Sequence, residues 1–460
     1  MQPRLTYRQH ARAVLGLGLP LIGSHVAQFA ITFTDALMLG WYSVEALAAE
    51  VLGGTMFFVL FIMGSGFAWA VMPMVASAQA SGATTQVRRV TRMGLWASIL
   101  FGLATLPLML GSGALFDRMG QEPATAALAA DYLEIAGLGI LPALMVMVLK
   151  SYLAALERTA VVLWVTLGAV VLNAGVNYLL IFGHFGFPEL GVQGAAIASL
   201  GVNTASFVVL GAYVHHSAPD HALFQRFWRP DPEALGRVFR LGWPVGLTNL
   251  AEVGLFAAAS IMMGWLGTLP LAAHGIALQI TSVIFMIHLG LSNVATVRAG
   301  QAHGRGDGAG LRDGARVVLG LSAAVALATM ALLLLLPDPL VGLFLAPDDP
   351  DRAQVIAIGR QLLAAAALFQ LVDAAQVQAL GLLRGVQDTR VPMVIAALSY
   401  WVVGVPVSYL LGFTLGFGGP GIWLGLAAGL ALAGVFMLVR FWGWSVRRIP
   451  APAPVLRQQG

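Results

Sequence analysis

The stretch LGWPVGLTNLAEVGLFAAASIMMGWL, residues Leu241–Leu266, decides the fold of this chain. It is long enough to cross a bilayer as a helix, because a span needs about 20 mostly apolar residues. Near its middle lies one ionisable side chain, Glu252. A carboxylate at membrane depth costs about 3 kcal/mol or more, so such residues are usually functional. We therefore expect a membrane-spanning helix that carries half of a cation site.

The composition of the whole chain places this helix in a polytopic membrane protein. Of 460 residues, 58% are hydrophobic and 10% are charged, against a usual charged share of about 25%. The sequence contains no cysteine, which excludes disulfide and thiolate–metal chemistry. Its only lysine, Lys150, lies outside any GxxxxGK[ST] motif, so ATP hydrolysis is not expected. With no nucleophile–base pair or metal cluster at usable spacing, we predict a protein that is not an enzyme and holds no cofactor.

The hydrophobic runs predict an all-α membrane protein of twelve transmembrane helices in two pseudo-symmetric six-helix lobes. Short polar or Gly/Pro segments separate the runs. The predicted helices are 14–37, 50–74, 92–114, 126–150, 160–182, 191–213, 240–265, 271–296, 314–336, 353–380, 391–413 and 420–442. The predicted domains are an N-lobe at 1–216, a cytoplasmic linker at 217–233, a C-lobe at 234–445 and a cytoplasmic tail at 446–460.

The basic residues predict the orientation of these helices. With the N-terminus inside, every one of the 25 Lys and Arg residues falls on the inner side except Arg118, Arg352 and Arg360. This agrees with the positive-inside rule and predicts that both termini are cytoplasmic, with an uncleaved first span. The same asymmetry explains the net charge of +4, so we expect no nucleic-acid partner.

The two halves of the sequence repeat each other at a fixed offset. Three short matches lie 224 positions apart, and two further matches follow at offsets of 222 and 231. Because both halves begin inside, the repeats are parallel, a plan known in secondary transporters with a site near the midplane. The matches are Gly18-Leu19-Pro20 with Gly242-Trp243-Pro244, Gly40-Trp41 with Gly264-Trp265, Leu47-Ala48-Ala49 with Leu271-Ala272-Ala273, Ala78–Gly82 with Gly300–Gly304, and Asn177–Leu180 with Ser408–Leu411.

Two acids in the second half predict a cation site. Glu252 and Asp373 both lie well inside predicted spans, and helical spacing puts Phe369 and Gln376 on the same face as Asp373. Two carboxylates with neighbouring amides suit a hard cation such as Na⁺, or a shared proton. The alternative is that each acid is pinned to a neighbouring helix. The only basic residue expected at matching depth is Arg360.

A second polar cluster is predicted in the first half. Asp35 shares a helix face with Gln28, and Asn173 and Asn177 lie four residues apart on another helix. These residues form a candidate polar network. The alternative is an interfacial aspartate with asparagines that join helices.

Proline occupies equivalent places in the first helix of each half, at Pro20 and Pro244. Proline removes a backbone hydrogen bond and lets a helix bend. Each is therefore either a hinge or a fixed kink, and the sequence does not separate the two.

Several motifs together resemble the multidrug and toxic compound extrusion (MATE) family, in its NorM-type bacterial branch. They are Pro20 and Asp35 in the first helix, the Asn-containing stretch 156–199, Glu252 in the seventh helix and ALGLLRGVQDTRVP at 379–392. The resemblance covers nearly the whole chain. It implies a V-shaped cleft between the lobes and a cation site at Glu252 and Asp373. Phe369 stands where this family often has tyrosine.

The resemblance further implies a monomeric antiporter of the bacterial inner membrane. It would export small cationic amphipathic substrates in exchange for inward Na⁺ or H⁺. Gln28, Gln279, Met286 and Gln376 are the candidate side chains of the substrate wall. The alternative is a flippase for a lipid-linked oligosaccharide, which needs buried cations for an anionic headgroup.

Overall fold

The computed structural model describes residues 6–348 and 350–448. Within these residues twelve helical segments are long and apolar enough to cross a membrane, and no strand is present. The α-helices are α1 Tyr7–Tyr42, α2 Val44–Ala80, α3 Thr84–Leu110, α4 Ser112–Arg118, α5 Pro123–Ala136, α6 Ile140–Ala155, α7 Thr159–Phe182, α8 Val192–Ser217, α9 Pro232–Leu266, α10 Thr268–Arg305, α11 Gly308–Leu335, α12 Pro337–Gly342, α13 Arg352–Gly385, α14 Arg390–Ala397, α15 Val405–Tyr409 and α16 Gly418–Arg440. The predicted twelve-helix membrane fold is confirmed.

Apolar side chains cover much of the outer surface of these helices. Trp164 is 72% exposed and Val171 is 75% exposed on α7, while Asn173 and Asn177 on the same helix are fully buried. This is the pattern expected in a bilayer, where lipid solvates apolar faces and polar groups turn inward.

Several helices extend beyond the predicted spans. The predicted second span begins at 50, whereas its helix begins at Val44. The predicted fourth and tenth spans end at 150 and 380, whereas their helices continue to Ala155 and Gly385. Three charged residues at or beyond the ends of these predicted spans, Glu50, Lys150 and Arg384, therefore lie inside helices. The predicted tail 446–460 lies outside the described residues from 449 onward.

The eleventh span changes its helical winding near its middle. Between α14 and α15, residues Leu398–Gly404 form a π-helix. The N–H of Val405 donates to the carbonyl of Tyr400, five residues back. Pro406 follows at the start of α15 and has no N–H to continue the α-helical pattern. This wider turn contains Tyr400, whose side chain is fully buried.

The structure divides into two compact units whose boundaries fall inside helices. One unit comprises Gly23–Gly246, and the other comprises Met1–Ile22 with Leu247–Gly460. Both boundaries come two residues after a proline, Pro20 in α1 and Pro244 in α9. The predicted lobe boundaries at 216 and 234 differ from this division, because the first part of each of these helices packs within the unit of the other half.

Glycines permit the same close helix crossing in both units. A Cβ on Gly66 in α2 would lie 2.4 Å from the carbonyl oxygen of Gly242 and 2.5 Å from the nitrogen of Gly246 in α9. A Cβ on Gly290 in α10 would lie 2.9 Å from the nitrogen of Ile22 in α1. Gly66 and Gly290 are 224 residues apart, so the sequence repeat is also a structural repeat.

The predicted linker packs against α3 in the unit Gly23–Gly246. Arg89 donates from Nε and Nη2 to the carboxylate of Asp231, at 2.5 Å and 3.0 Å, and its Nη2 also donates to Glu233. The hydrogen bonds that Asp231 accepts from the Arg89 guanidinium lower the pKa of Asp231 to about 2. The carboxylate is therefore ionised at neutral pH. Arg92 and Trp96 add hydrogen bonds to backbone carbonyls of the linker.

Candidate functional site

The two acids predicted in the second half lie in one compact unit and within electrostatic range of each other. Glu252 is on α9 and Asp373 is on α13, and the charge of Glu252 acts on Asp373. Asp373 is 1% exposed. Its Oδ1 accepts no hydrogen bond from the described residues. Because a buried carboxylate without donors is costly, this oxygen is available to a cation.

Aromatic side chains pack together one turn before Asp373 on α13. Phe369 is buried, and its ring meets that of Phe256 at a centroid distance of 5.8 Å and an angle of 74°. It also meets the ring of Trp423 at 5.3 Å and 84°. These edge-to-face contacts hold the phenyl ring in place. A hydroxyl at this position would have to fit among three packed rings.

Gln376 lies one turn after Asp373 on α13. Its Nε2 donates to the hydroxyl of Tyr400 at 2.7 Å, and Gln376 is fully buried. Its Oε1 receives no hydrogen bond from the part of the chain that the structure describes. Gln376 contacts the π-helical turn through Tyr400, and its predicted role in a substrate wall stays a prediction. Because Gln376 lies one turn after Asp373 on α13, its free amide oxygen is a candidate second ligand for a cation.

A buried arginine near these acids corrects the sequence interpretation. Arg360, the expected basic neighbour, is exposed and pairs with Asp338 at 2.5 Å. Arg384 is 5% exposed instead, donates to Oδ1 of Asn249 at 2.8 Å, and its charge acts on Glu252. The expectation that Arg360 was the only basic residue at this depth was wrong. The charge of Arg384 acts on Glu252, and the described residues give Asp373 no basic partner.

The structure brings the predicted residues of the first half together around Asp35 on α1. Asp35 is 8% exposed. Its Oδ1 accepts hydrogen bonds from the Nδ2 atoms of Asn173 and Asn177, at 2.9 Å and 2.5 Å, and its Oδ2 accepts one from Ser199 at 3.3 Å. Asn173 and Asn177 lie four residues apart on α7, as their shared face requires. Asp35 is therefore the centre of a buried polar network.

The remaining predicted wall residues have different environments. Gln28 is exposed and accepts a hydrogen bond from Nζ of Lys150 at 3.1 Å. Gln279 is exposed and Met286 is half-buried on α10. The structure does not bring these three side chains to Asp373, so their role in binding a substrate stays a prediction.

Sequence reasoning missed Glu50, Arg384 and Tyr400. Glu50 is the first residue of the predicted span 50–74, and Arg384 falls beyond the predicted span 353–380, although both lie inside helices and are at least nine-tenths buried. The spacing of the acids gave no signal for Tyr400, which contacts Gln376 from a different helix. A search for charged residues within a few turns of each predicted span end would have found the first two.

Comparison with known proteins identifies the family to which these residues belong. The sequence profile of the MatE family matches residues 20–179 and again residues 244–410. Together the two matches cover more than half of the chain. The chain belongs to the MatE family. The second match begins 224 residues after the first, so both halves of the repeat are MatE modules, and each contains one of the two clusters described above.

Full-length relatives within the MatE family support this assignment. The chain is 47% identical to the probable multidrug resistance protein NorM of Rhizobium meliloti (strain 1021) over 446 residues, which cover 96% of each protein. It is 35% identical to the protein of the same name from Synechocystis sp. (strain ATCC 27184 / PCC 6803 / Kazusa), with 98% of each chain covered.

Solved structures of MATE transporters share the fold. The crystal structure of a eukaryotic MATE transporter superimposes with a TM-score of 0.85 at 17% identity, covering 96% of this chain and 98% of the other. An outward-facing multidrug resistance MATE family transporter gives a TM-score of 0.85 at 19% identity, with 96% of both chains covered. At these identities the structures establish the fold of a multi-pass MatE membrane protein.

Proposed function

We propose that this protein is a secondary active efflux antiporter of the bacterial inner membrane, with both termini cytoplasmic. It exports small organic cations from the cytoplasm in exchange for Na⁺ or H⁺ that enters from outside. The names of its full-length relatives, which are multidrug resistance proteins, support export of varied compounds. They give the oligosaccharide flippase alternative no support.

The observation that carries this proposal is the pair of buried acids, Glu252 and Asp373, with a single buried arginine, Arg384, near Glu252. When both acids are ionised, the guanidinium of Arg384 offsets one charge, and a mobile cation would neutralise the other. Asp373 Oδ1 and Gln376 Oε1 accept no hydrogen bond from the described residues, and oxygen ligands of this kind suit Na⁺ or a bound proton. We therefore place the coupling cation at Glu252 and Asp373, beside Phe369 and Gln376.

Coupling follows if the cation and the drug favour different conformations of the protein. A bound cation removes the cost of the buried charge in one state, and a cationic drug needs that charge in the other. Pro20 and Pro244 lie where the compact units divide, which supports their role as hinges. Met286, Gln279 and Gln28 remain candidates for the wall of the drug site, and we propose that the protein acts as a monomer.

Ethidium efflux from vesicles tests this function. The purified protein is reconstituted, and an inward Na⁺ gradient or an inward proton gradient is imposed alone. We expect one gradient to accelerate efflux above the rate without any gradient, which also identifies the coupling ion. Protein-free vesicles are the control. Efflux that neither gradient accelerates would overturn the antiport mechanism.

A further inference from the structure

The helices α1 and α7 run parallel and in step through the unit Gly23–Gly246. The hydroxyls of Ser24 and Thr166 lie 3.1 Å apart, and further along both helices the amide of Asn177 donates to Asp35. Each pair is separated by 142 residues. A residue of α1 between these contacts therefore lies level with the residue of α7 that comes 142 positions later.

This register places Gln28 near the middle of the bilayer, and the side chain of Lys150 with it. Gln28 lies level with Val170, the twelfth of the 24 residues of α7. At 1.5 Å per residue α7 is about 36 Å long, enough to cross the ~30 Å apolar core of a bilayer. Nζ of Lys150 donates to Oε1 of Gln28 at 3.1 Å. The only lysine of the chain therefore brings its ammonium close to the midplane.

This ammonium pairs with no carboxylate among the residues that the structure describes. Asp35, two turns further along α1 than Gln28, is held by neutral amide and hydroxyl donors instead. Gln28 uses one of the three N–H donors of Lys150. Gln28 is exposed and Lys150 is half-buried, so both can be reached. A charged side chain at this depth usually faces a water-filled cavity and marks the path of a substrate or ion.

The internal repeat shows that the fold does not require a lysine at this position. In the turn after α6, Glu157 has a φ of 62°, and in the turn after α13, Gln387 has a φ of 61°. These two residues are 230 positions apart, as are the last residues of α6 and α13. Lys150 therefore corresponds to Leu380, which is 3% exposed. The same helix end forms with an apolar side chain in the other unit, so the charge of Lys150 serves another purpose.

We propose that Lys150, positioned by Gln28, binds an anionic group of the transported compound. The two remaining N–H donors of the ammonium suit the oxygens of a carboxylate. One ammonium balances one carboxylate, but not the several charges of a phosphorylated lipid headgroup. The substrate class is therefore a zwitterion that carries a carboxylate besides its cationic group. The part of Lys150 in export rests on the proposed antiport, whereas its binding of a carboxylate does not.

Binding of two matched dyes to the purified full chain in detergent tests this proposal without any gradient. Tetramethylrhodamine is a zwitterion with a free carboxylate at neutral pH, and its methyl ester keeps the cation but lacks the carboxylate. The Kd of each dye is measured by fluorescence polarisation. We expect Lys150→Gln to raise the Kd of the free acid about 10-fold or more, as for a lost hydrogen bond between charged groups. The Kd of the ester should stay nearly unchanged, and Lys150→Arg, which keeps the charge, should retain most of the binding of the free acid.

The matched control is Arg118→Gln, which removes one positive charge from an exposed residue on α4 of the same unit. It should change neither Kd. The proposal would be overturned if the unchanged protein did not bind the free acid, or if Lys150→Gln left its Kd unchanged. An equal loss of both dyes in Lys150→Gln would also overturn it, because the lysine would then only support the fold. Intact binding of the free acid without gradient-driven export would refute only the antiport mechanism.

Chemical labelling of the unchanged protein keeps the test valid if Lys150→Gln does not fold. Because the chain has no other lysine, acetylation of the peptide that contains Lys150, followed by mass spectrometry, reports on this one side chain. At equal saturation, the free acid should cause a loss of acetylation at Lys150, and the ester should cause much less. Equal protection by the two dyes, or protection by neither, would overturn carboxylate binding.

Discussion

Asp373→Asn is expected to abolish gradient-driven drug efflux while the protein stays folded in the membrane. The asparagine has the same shape but no charge to hold a coupling cation, so we expect the efflux rate to fall by about 100-fold, near the upper range of typical coupling between two sites. Stability should be retained or increased, because the buried carboxylate has an oxygen that no described residue satisfies. Glu252→Gln should reduce efflux in the same way. Efflux rate and thermal unfolding are measured on the same preparations.

The control for these variants is Asp313→Asn, an acid-to-amide change at a residue that pairs with Arg316 on α11. Because such a surface pair contributes about 1 kcal/mol or less, efflux should remain close to that of the unchanged protein. Full drug resistance in cells that carry either Asp373→Asn or Glu252→Gln would remove the proposed coupling site.

Gly66→Ala is expected to be among the most destabilising single methyl additions in the unit Gly23–Gly246. The new Cβ would lie 2.4 to 2.5 Å from backbone atoms of Gly242 and Gly246, which no side-chain rotamer change relieves. The first part of α9 must then move away from α2. We expect a loss of about 1–3 kcal/mol or more, which lowers the thermal midpoint by several degrees for a unit of this size.

Gly168→Ala on α7 is the matched control for this prediction, because a Cβ there meets nothing within 4 Å. In an open helical position alanine stabilises by about 0.5–1 kcal/mol relative to glycine. The two variants should therefore shift the midpoint of thermal unfolding in opposite directions. Equal shifts would show that the helices are not in close contact at Gly66.

The membrane fold was predictable from the sequence because a helix that crosses the bilayer requires a long apolar run. The asymmetry of the basic residues and the internal repeat each supported the helix count independently. The ends of the helices were not. A hydropathy pattern ends a span at the first charged residue, whereas a helix continues as long as its backbone bonds are satisfied. Glu50, Lys150 and Arg384 were misplaced for this reason, and two of them, Lys150 and Arg384, bear directly on the proposed binding sites.

The residues of each cluster were predictable where they share one helix face. Asn173 and Asn177 follow helical spacing, and so do Phe369 and Gln376 around Asp373. Contacts between helices were not predictable, because the sequence does not show which residues of two different helices face each other. The contact between Gln376 on α13 and Tyr400 in the π-helical turn is an example. For the same reason, the sequence placed Arg360 rather than Arg384 near the acids.

The most direct test of cation–drug exchange is to let a drug gradient drive the movement of the coupling cation. Proteoliposomes are loaded with ethidium, with no Na⁺ or proton gradient at the start, and the uptake of ²²Na⁺ and of protons is followed as ethidium leaves. Because coupling is reciprocal, we predict that the outward ethidium gradient drives one of these cations inward against its own gradient, and that Asp373→Asn stops this movement. Ethidium that leaves without moving either cation would contradict the exchange mechanism.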